Sequence, residues 1–204
     1  MKKRVLSFVL ALCFVLTLLP AAFADSAPTS GTCGDNLTWR LNGSVLTISG
    51  TGKMTDYYLS NNDTTAPWGE YCSSIKSVVI GDGVTNIGEG AFYNCARLTS
   101  VTIPSSVTKI ESYAFENCRS LASIAIPDSV TEIGYSAFEN CISLTSVVIP
   151  NGVTEIEYMV FENCSSLKSV TIPSSVKKIG TLAFANCTKL KDCLLYTSDA
   201  ADDR

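Results

Sequence analysis

This 204-residue chain contains no histidine, which removes the usual general base for a serine or cysteine nucleophile and the commonest metal ligand. Its many serines therefore carry no catalytic signal, and no catalytic, cofactor-binding or metal-ligating residue is assigned. Charge is scarce too, at 17% of residues, and leans acidic with 19 Asp and Glu against 15 Lys and Arg. That balance excludes the phosphate-neutralising contacts of a nucleic-acid binder and disfavours docking on an anionic bilayer. Zinc sites want thiols paired at C-x-x-C spacing, and no such pair occurs. Beyond residue 19 no apolar run approaches the roughly 20 residues of a membrane span.

What is present begins with a leader. Lys2, Lys3 and Arg4 precede an apolar stretch from Val5 to Leu19 and a small-residue cleavage site at Ala22-Phe23-Ala24, which predicts a signal peptide over residues 1–24 and a secreted or cell-surface product. Losing those three cations takes the net charge from −4 to −7, and no membrane span remains after cleavage.

A 23-residue period then runs through the chain. Cys72, Cys95, Cys118, Cys141, Cys164 and Cys187 keep it, as do Phe92, Phe115, Phe138, Phe161 and Phe184. Leu98 to Leu190 and Ile87 to Ile179 recur on the same beat, and Pro104, Pro127, Pro150 and Pro173 mark a corner. A fixed period of this length means a solenoid, in which each unit is too small to close a core and buries its apolar side chains against its neighbours. Within one unit, Val101-Thr102-Ile103 alternates as a strand ended by Pro104, Val107 and Ile110 continue as a shorter extended segment, and Ser112 to Asn117 reads as one helical turn. The expected fold is a β-rich solenoid over residues 72–190, behind a cap over residues 25–71. In the cap, Leu37–Leu41 and Ser44–Ser49 flank Asn42-Gly43, a strong hairpin signal. Trp39 and Trp68 suit a cap that covers the first coil, with a sugar platform as the other reading.

The regular cysteines predict a ladder of buried thiols. Equivalent residues in adjacent coils lie about 4.8 Å apart, but parallel Cβ vectors do not bring Cβ atoms to the roughly 3.5–4.5 Å of a good bridge. A Cys33–Cys72 staple in the cap stays open as an alternative.

The pattern L-x-S-V-x-I-P-x-x-V-x-x-I-x-x-x-A-F-x-N-C resembles the BspA-type leucine-rich repeat. Gly31-Thr32-Cys33-Gly34-Asp35, Trp39, Leu46-Thr47-Ile48-Ser49-Gly50-Thr51-Gly52 and Pro67-Trp68 are similar to the cap that precedes such repeats in secreted bacterial proteins. The resemblance implies a leucine-rich-repeat solenoid used for cell-surface adhesion to proteins, without shared catalytic residues. After Leu190 the pattern fails: Cys193, Leu195 and Tyr196 stand where Val, Ile and Pro are due. Residues 191–204 therefore read as a broken repeat, truncated or non-native.

Two surfaces are candidates for contact with a protein or glycan. One is the outward sheet face of Val79, Thr102, Ala125, Val148 and Thr171, a flat row of small residues. The other is a stripe of Tyr113, Tyr135, Tyr158, Met159 and Leu182, apolar where solvent is expected and rich in the side chains that anchor interfaces. Glu116, Glu139 and Glu162 recur at one position and are expected to form a solvated edge, not the carboxylate pair of a glycosidase. The predicted function is non-enzymatic extracellular binding or adhesion. The alternative is a targeting or spacer module of a larger secreted enzyme.

Overall fold

The computed structural model describes residues 29–60 and 63–196; the expected leader and residues 197–204 lie outside them. The cap comprises β1 (Ser30–Gly34), β2 (Leu37–Asn42) and β3 (Val45–Gly50), with a small antiparallel pair β4 (Leu59–Ser60) and β5 (Asp63–Thr64). Asn42 pairs with Val45 across β2 and β3, so Gly43 and Ser44 form a two-residue turn in which Gly43 takes φ 59°, the left-handed geometry that favours glycine in a hairpin. β1 adds a third antiparallel strand that the hairpin signal alone did not reveal.

Four of the five coils then contribute a main strand and a short second strand. The first holds β6 (Ser77–Ile80) and β7 (Asn86–Ile87), the second β8 (Ser100–Thr102) and β9 (Lys109–Ile110), the third only β10 (Glu132–Ile133). The fourth holds β11 (Ser146–Val148) and β12 (Glu155–Ile156), the fifth β13 (Ser169–Pro173) and β14 (Lys178–Ile179), and β15 (Asp192–Tyr196) starts another turn in register with β13. β3 runs parallel to β6, so the cap feeds directly into the main sheet, ordered β1-β2-β3-β6-β8. That sheet stops at β8 and resumes as β11-β13-β15. Its missing member is the segment around Ala125, expected in the sheet face but in no strand. Threonine hydroxyls reinforce the neighbouring rungs, from Thr99 to the Lys76 carbonyl and from Thr145 to the Ala122 carbonyl. Ala122 has no hydroxyl to donate back to the Thr99 rung, and Ala125 lacks the β-branching that favours strands. Val101, Ile103, Ile124 and Ile126 are only partly buried beside this break.

The third side of each coil departs from the expected helical turn. In the first coil the N–H groups of Ala91, Tyr93 and Cys95 donate within the coil to Gly88, Gly90 and Phe92, while those of Gly90, Phe92 and Asn94 donate across to Ser112, Ala114 and Glu116. The alternation recurs in the second coil, where Phe115 and Asn117 donate to Ala137 and Glu139, and in the fourth, where Phe161 and Asn163 donate to Ala183 and Ala185. A helix would keep these donors inside the segment. Here two residues per coil are left-handed, Gly90 and Asn94 first, then Tyr113 with Asn117, Ser136 with Asn140, Met159 with Asn163, and Leu182 with Asn186, all at φ between 52° and 60°. They turn alternate peptides toward the neighbouring coil. Among the described residues the one helical segment is the 3-10 turn Gly69–Tyr71.

Phe92, Phe115, Phe138 and Phe161 are fully buried and stack at 5.3–5.4 Å, with Phe184 half-buried at the end of the column. Trp68 stacks on Phe92 at 5.8 Å and meets Trp39 edge-on at 5.9 Å. Both indoles are buried, which rules out the sugar platform and makes Trp68 the head of the phenylalanine column.

The cysteine column is mixed, which corrects the expectation of thiols throughout. Cys95 is bonded to Cys72, with Cα atoms 4.2 Å apart, and Cys33 is free. Each later cysteine follows a left-handed Asn that fixes its Cβ direction. Cys72 follows Tyr71 in the 3-10 turn instead. Cys118, Cys141, Cys164 and Cys187 instead donate S–H to the carbonyls of Phe92, Phe115, Phe138 and Phe161 in the preceding coil at 3.1–3.3 Å. Burial pushes the thiols of Cys118, Cys141 and Cys164 far up and the half-buried Cys187 to about 11, so none is a nucleophile at neutral pH.

Replacing Phe138, in the middle of the column, by Ala should cost about 3–5 kcal/mol in urea unfolding, the loss expected for an unrelaxed aromatic cavity. Thiol alkylation of the native protein should spare Cys118, Cys141 and Cys164 and reach Cys187 first. After unfolding without reductant, mass mapping should find Cys33, Cys118, Cys141, Cys164 and Cys187 modified but Cys72 and Cys95 unmodified; alkylated Cys72 would contradict the bridge.

Candidate functional site

The left-handed corner sets the aromatic stripe, and the structure resolves it into two columns. Tyr113, Met159 and Leu182 share the left-handed position with Gly90 and Ser136, while Tyr135 and Tyr158 sit one residue earlier, level with Ser112 and Thr181. Tyr113 packs edge-on against Tyr135 at 4.9 Å. Burial and then its hydrogen bond to Tyr135 push its phenol up to about 12. Tyr135, Tyr158 and Leu182 keep 42%, 45% and 43% of their surface exposed, and Met159 is half-buried. A left-handed non-glycine residue costs roughly 1–2 kcal/mol, and Asn is the usual tolerated exception. Tyr113, Met159 and Leu182 are not of that kind.

The sheet face is less regular. Val148 is 63% exposed and Thr102 and Val79 face solvent, but Thr171 is half-buried and Ala125 lies outside the ladder. The five residues therefore form no continuous flat platform.

On the second β face, a concavity of about 360 Å³ is lined by Lys109, Glu111, Glu132, Gly134, Tyr135, Glu155 and Glu157 among others. Ser112 and Tyr135 belong to both this hollow and the stripe's margin. Lys109 reaches Glu111 at 3.1 Å and Glu132 at 3.0 Å, and Lys178 pairs with Glu155. Sequence reasoning missed the hollow, although the column Lys109, Glu132, Glu155, Lys178 carried the signal. Among the described residues no three acidic or sulfur side chains converge as a metal group, and no helix is long and apolar enough to cross a membrane.

The glutamate column is less solvated than the expected edge. Glu116, Glu139 and Glu162 are each partly buried beside the cysteine column. Asn117 and Asn140 donate their amides to Glu116 and Glu139 at 3.2 and 3.3 Å, while Oε2 of Glu162 is enclosed without a partner. Burial, then the charge of Glu139, raises Glu116 from 4.5 to about 7 and also raises Glu162. Stacking at coil spacing brings like charges together and supplies the shielding that the pattern alone did not show.

Residues 70–191 match the model of the BspA type leucine rich repeat region in six copies. No curated protein matches the chain. Among solved structures, a leucine-rich repeat protein from Eubacterium ventriosum ATCC 27560 is similar at 30% identity and a TM-score of 0.69, over 84% of this chain and 45% of that one. A leucine rich cell surface protein from Faecalibacterium prausnitzii A2-165 is 30% identical with a TM-score of 0.54, over 86% and 56%. The leucine rich repeat protein of T. pallidum, at 24% identity and a TM-score of 0.51 over 79% and 91%, shares the fold. The chain thus spans about half the length of the first two.

Because Glu116 is raised, between pH 4.5 and 7 the folded chain holds a proton that the unfolded chain has released. Its contribution to stability is complete below about pH 4.5 and is lost as the pH rises through about 7. Glu116→Gln should therefore melt above the parent at pH 8 and level with it at pH 4.5, read by circular dichroism.

Proposed function

Since the chain belongs to the BspA-type leucine-rich repeat family, we propose that it is a non-enzymatic module that binds protein or glycan ligands outside the cell and promotes adhesion through its tyrosine-bearing corner. One observation carries this reading. At the left-handed position of each coil glycine is the cheapest residue, and the first coil uses it in Gly90. Three later coils place Tyr113, Met159 and Leu182 there and hold them at or near the surface against backbone strain. Strain retained at large side chains that are half-buried or exposed, Tyr113, Met159 and Leu182, fits a functional surface, and Tyr135 and Tyr158 add rigid aromatic area beside it. Coil spacing repeats each weak contact, so affinity can accumulate along the corner. The surface description of the Faecalibacterium protein and the predicted leader both favour an extracellular site of action.

A structural role and a binding role separate at position 159. Met159→Gly should relieve strain and raise stability by up to about 1 kcal/mol while weakening adhesion to an array of immobilised extracellular proteins and glycans. Tyr113, Tyr135 and Tyr158 replaced together by Ser should abolish adhesion, with the circular-dichroism spectrum retained. Full adhesion in both variants would remove the corner from the binding surface.

A further inference from the structure

The main sheet begins at β1, whose far side meets no other described strand. Leu41 N–H donates to the Thr29 carbonyl at 2.7 Å, and Gly31 stands opposite Trp39. Alternation along an antiparallel pair then aims the N–H and C=O groups of Ser30 and Thr32 away from β2. Ser30, Gly31 and Thr32 are exposed, and this stretch carries neither the lysine nor the proline that commonly blunts a sheet edge. The register shift between Thr32 and Gly34 ends the usable length.

Beneath this edge lies a buried donor without an acceptor. The Trp39 side chain is 2% exposed, and among the described residues its Nε1–H makes no hydrogen bond. The other buried indole is matched, since Trp68 donates to the Ala91 carbonyl at 2.7 Å. Trp39 Nε1 lies under Gly31, where a Cβ would come within 2.9 Å of it. Gly31 is not among the left-handed glycines; it keeps clear the space beside the indole nitrogen, as strand glycines do where another chain approaches closely. A concavity of about 520 Å³ borders the same edge, lined by residues 29–32, Thr38, Trp39 and Arg40. Arg40 is exposed and forms no ion pair among the described residues. In a chain of net negative charge, this site is made of donors: an indole N–H, a guanidinium, two edge amides and hydroxyls.

We propose that β1 accepts an extended segment of a partner protein as an added antiparallel strand, with an aspartate of that segment opposite Gly31. Ser30 and Thr32 exchange backbone hydrogen bonds with the residues on either side of the aspartate. Gly31 bonds inward to Trp39, so the residue outside it forms the close, non-hydrogen-bonded pair, and its side chain falls on the face of the indole. A short side chain ending in an acceptor reaches Nε1 past the glycine. A carboxylate is favoured over an amide because Arg40 is the only charged residue of the lining. This site belongs to the cap and goes beyond the tyrosine corner, so neither stands or falls with the other.

The test titrates the isotope-labelled chain with the peptide Thr-Val-Thr-Asp-Thr-Val-Thr, and with its counterpart carrying Ala for Asp, and follows the amide and indole resonances. The aspartate peptide should shift the Trp39 indole N–H downfield, leave that of Trp68 in place, and slow hydrogen exchange at the Ser30 and Thr32 amides. The alanine peptide should bind about tenfold more weakly, the loss expected for one charged hydrogen bond. Trp39→Phe should lower affinity for the aspartate peptide by a similar factor and leave that for the alanine peptide unchanged. Thr32→Pro removes an outward amide at an edge position where proline is tolerated; it should abolish binding of both peptides while both indole resonances persist. The tyrosine triple variant should bind the peptide as the parent does. Equal binding of the two peptides, a Trp39 resonance that does not move, or full binding by Thr32→Pro would each overturn the proposal. So would glucuronate alone binding as tightly as the peptide, because an acidic sugar would then be the occupant. A water cross-peak to the Trp39 indole that persists at saturating peptide would overturn it too, because a held water would then be the acceptor.

Discussion

Two left-handed residues in each coil hold this solenoid together. They turn alternate peptide groups out of their own turn and into hydrogen bonds with the next coil, from Gly90 in the first coil to Ala185 in the fifth. Backbone donors beside a packed core must be satisfied, and here the neighbouring coil satisfies them. The stacked phenylalanines lie behind the same corner, so polar and apolar stacking share one period. Inserting a residue into one coil would break both at once.

Because the corner bears the stacking, the other two sides can open without separating the coils. The main sheet lapses at Ala122 and Ala125, where the hydroxyl clamp and β-branched packing are both lost. The second sheet lapses between Glu132 and Glu155, where opposite charges give way to like ones. Local sequence changes thus alter a surface while the core is preserved, and a repeat scaffold can acquire binding specificity in this way. The N-terminal end is held differently, with Trp68 closing the aromatic column and Cys72–Cys95 linking the first rungs of the cysteine column.

Much of this was legible in the residues. The 23-residue beat of Phe, Leu, Ile and Cys identifies the inward positions, since only a repeated interior needs the same side chain at every turn. Asn42-Gly43 marks the hairpin because few residues accept the geometry of its turn. The tyrosines and Met159 stand out as apolar residues on an outward position, and the charge column at 109, 132, 155 and 178 can be written down without a structure.

The sequence by itself determined the period, the in-and-out pattern and the absence of histidine chemistry, because these depend on residue identity and spacing alone. Only the tertiary structure decided that the corner is left-handed rather than helical, since Tyr113, Met159 and Leu182 would not choose that conformation locally and neighbouring coils impose it. It also decided that Cys95 bonds to Cys72, because coil stacking brings their Cα atoms to 4.2 Å. Glu116 gained its raised proton affinity the same way, from coils stacked above and below it. In each case the deciding partner lies about 23 residues away along the chain, across a coil boundary where folding, not local preference, sets the distance.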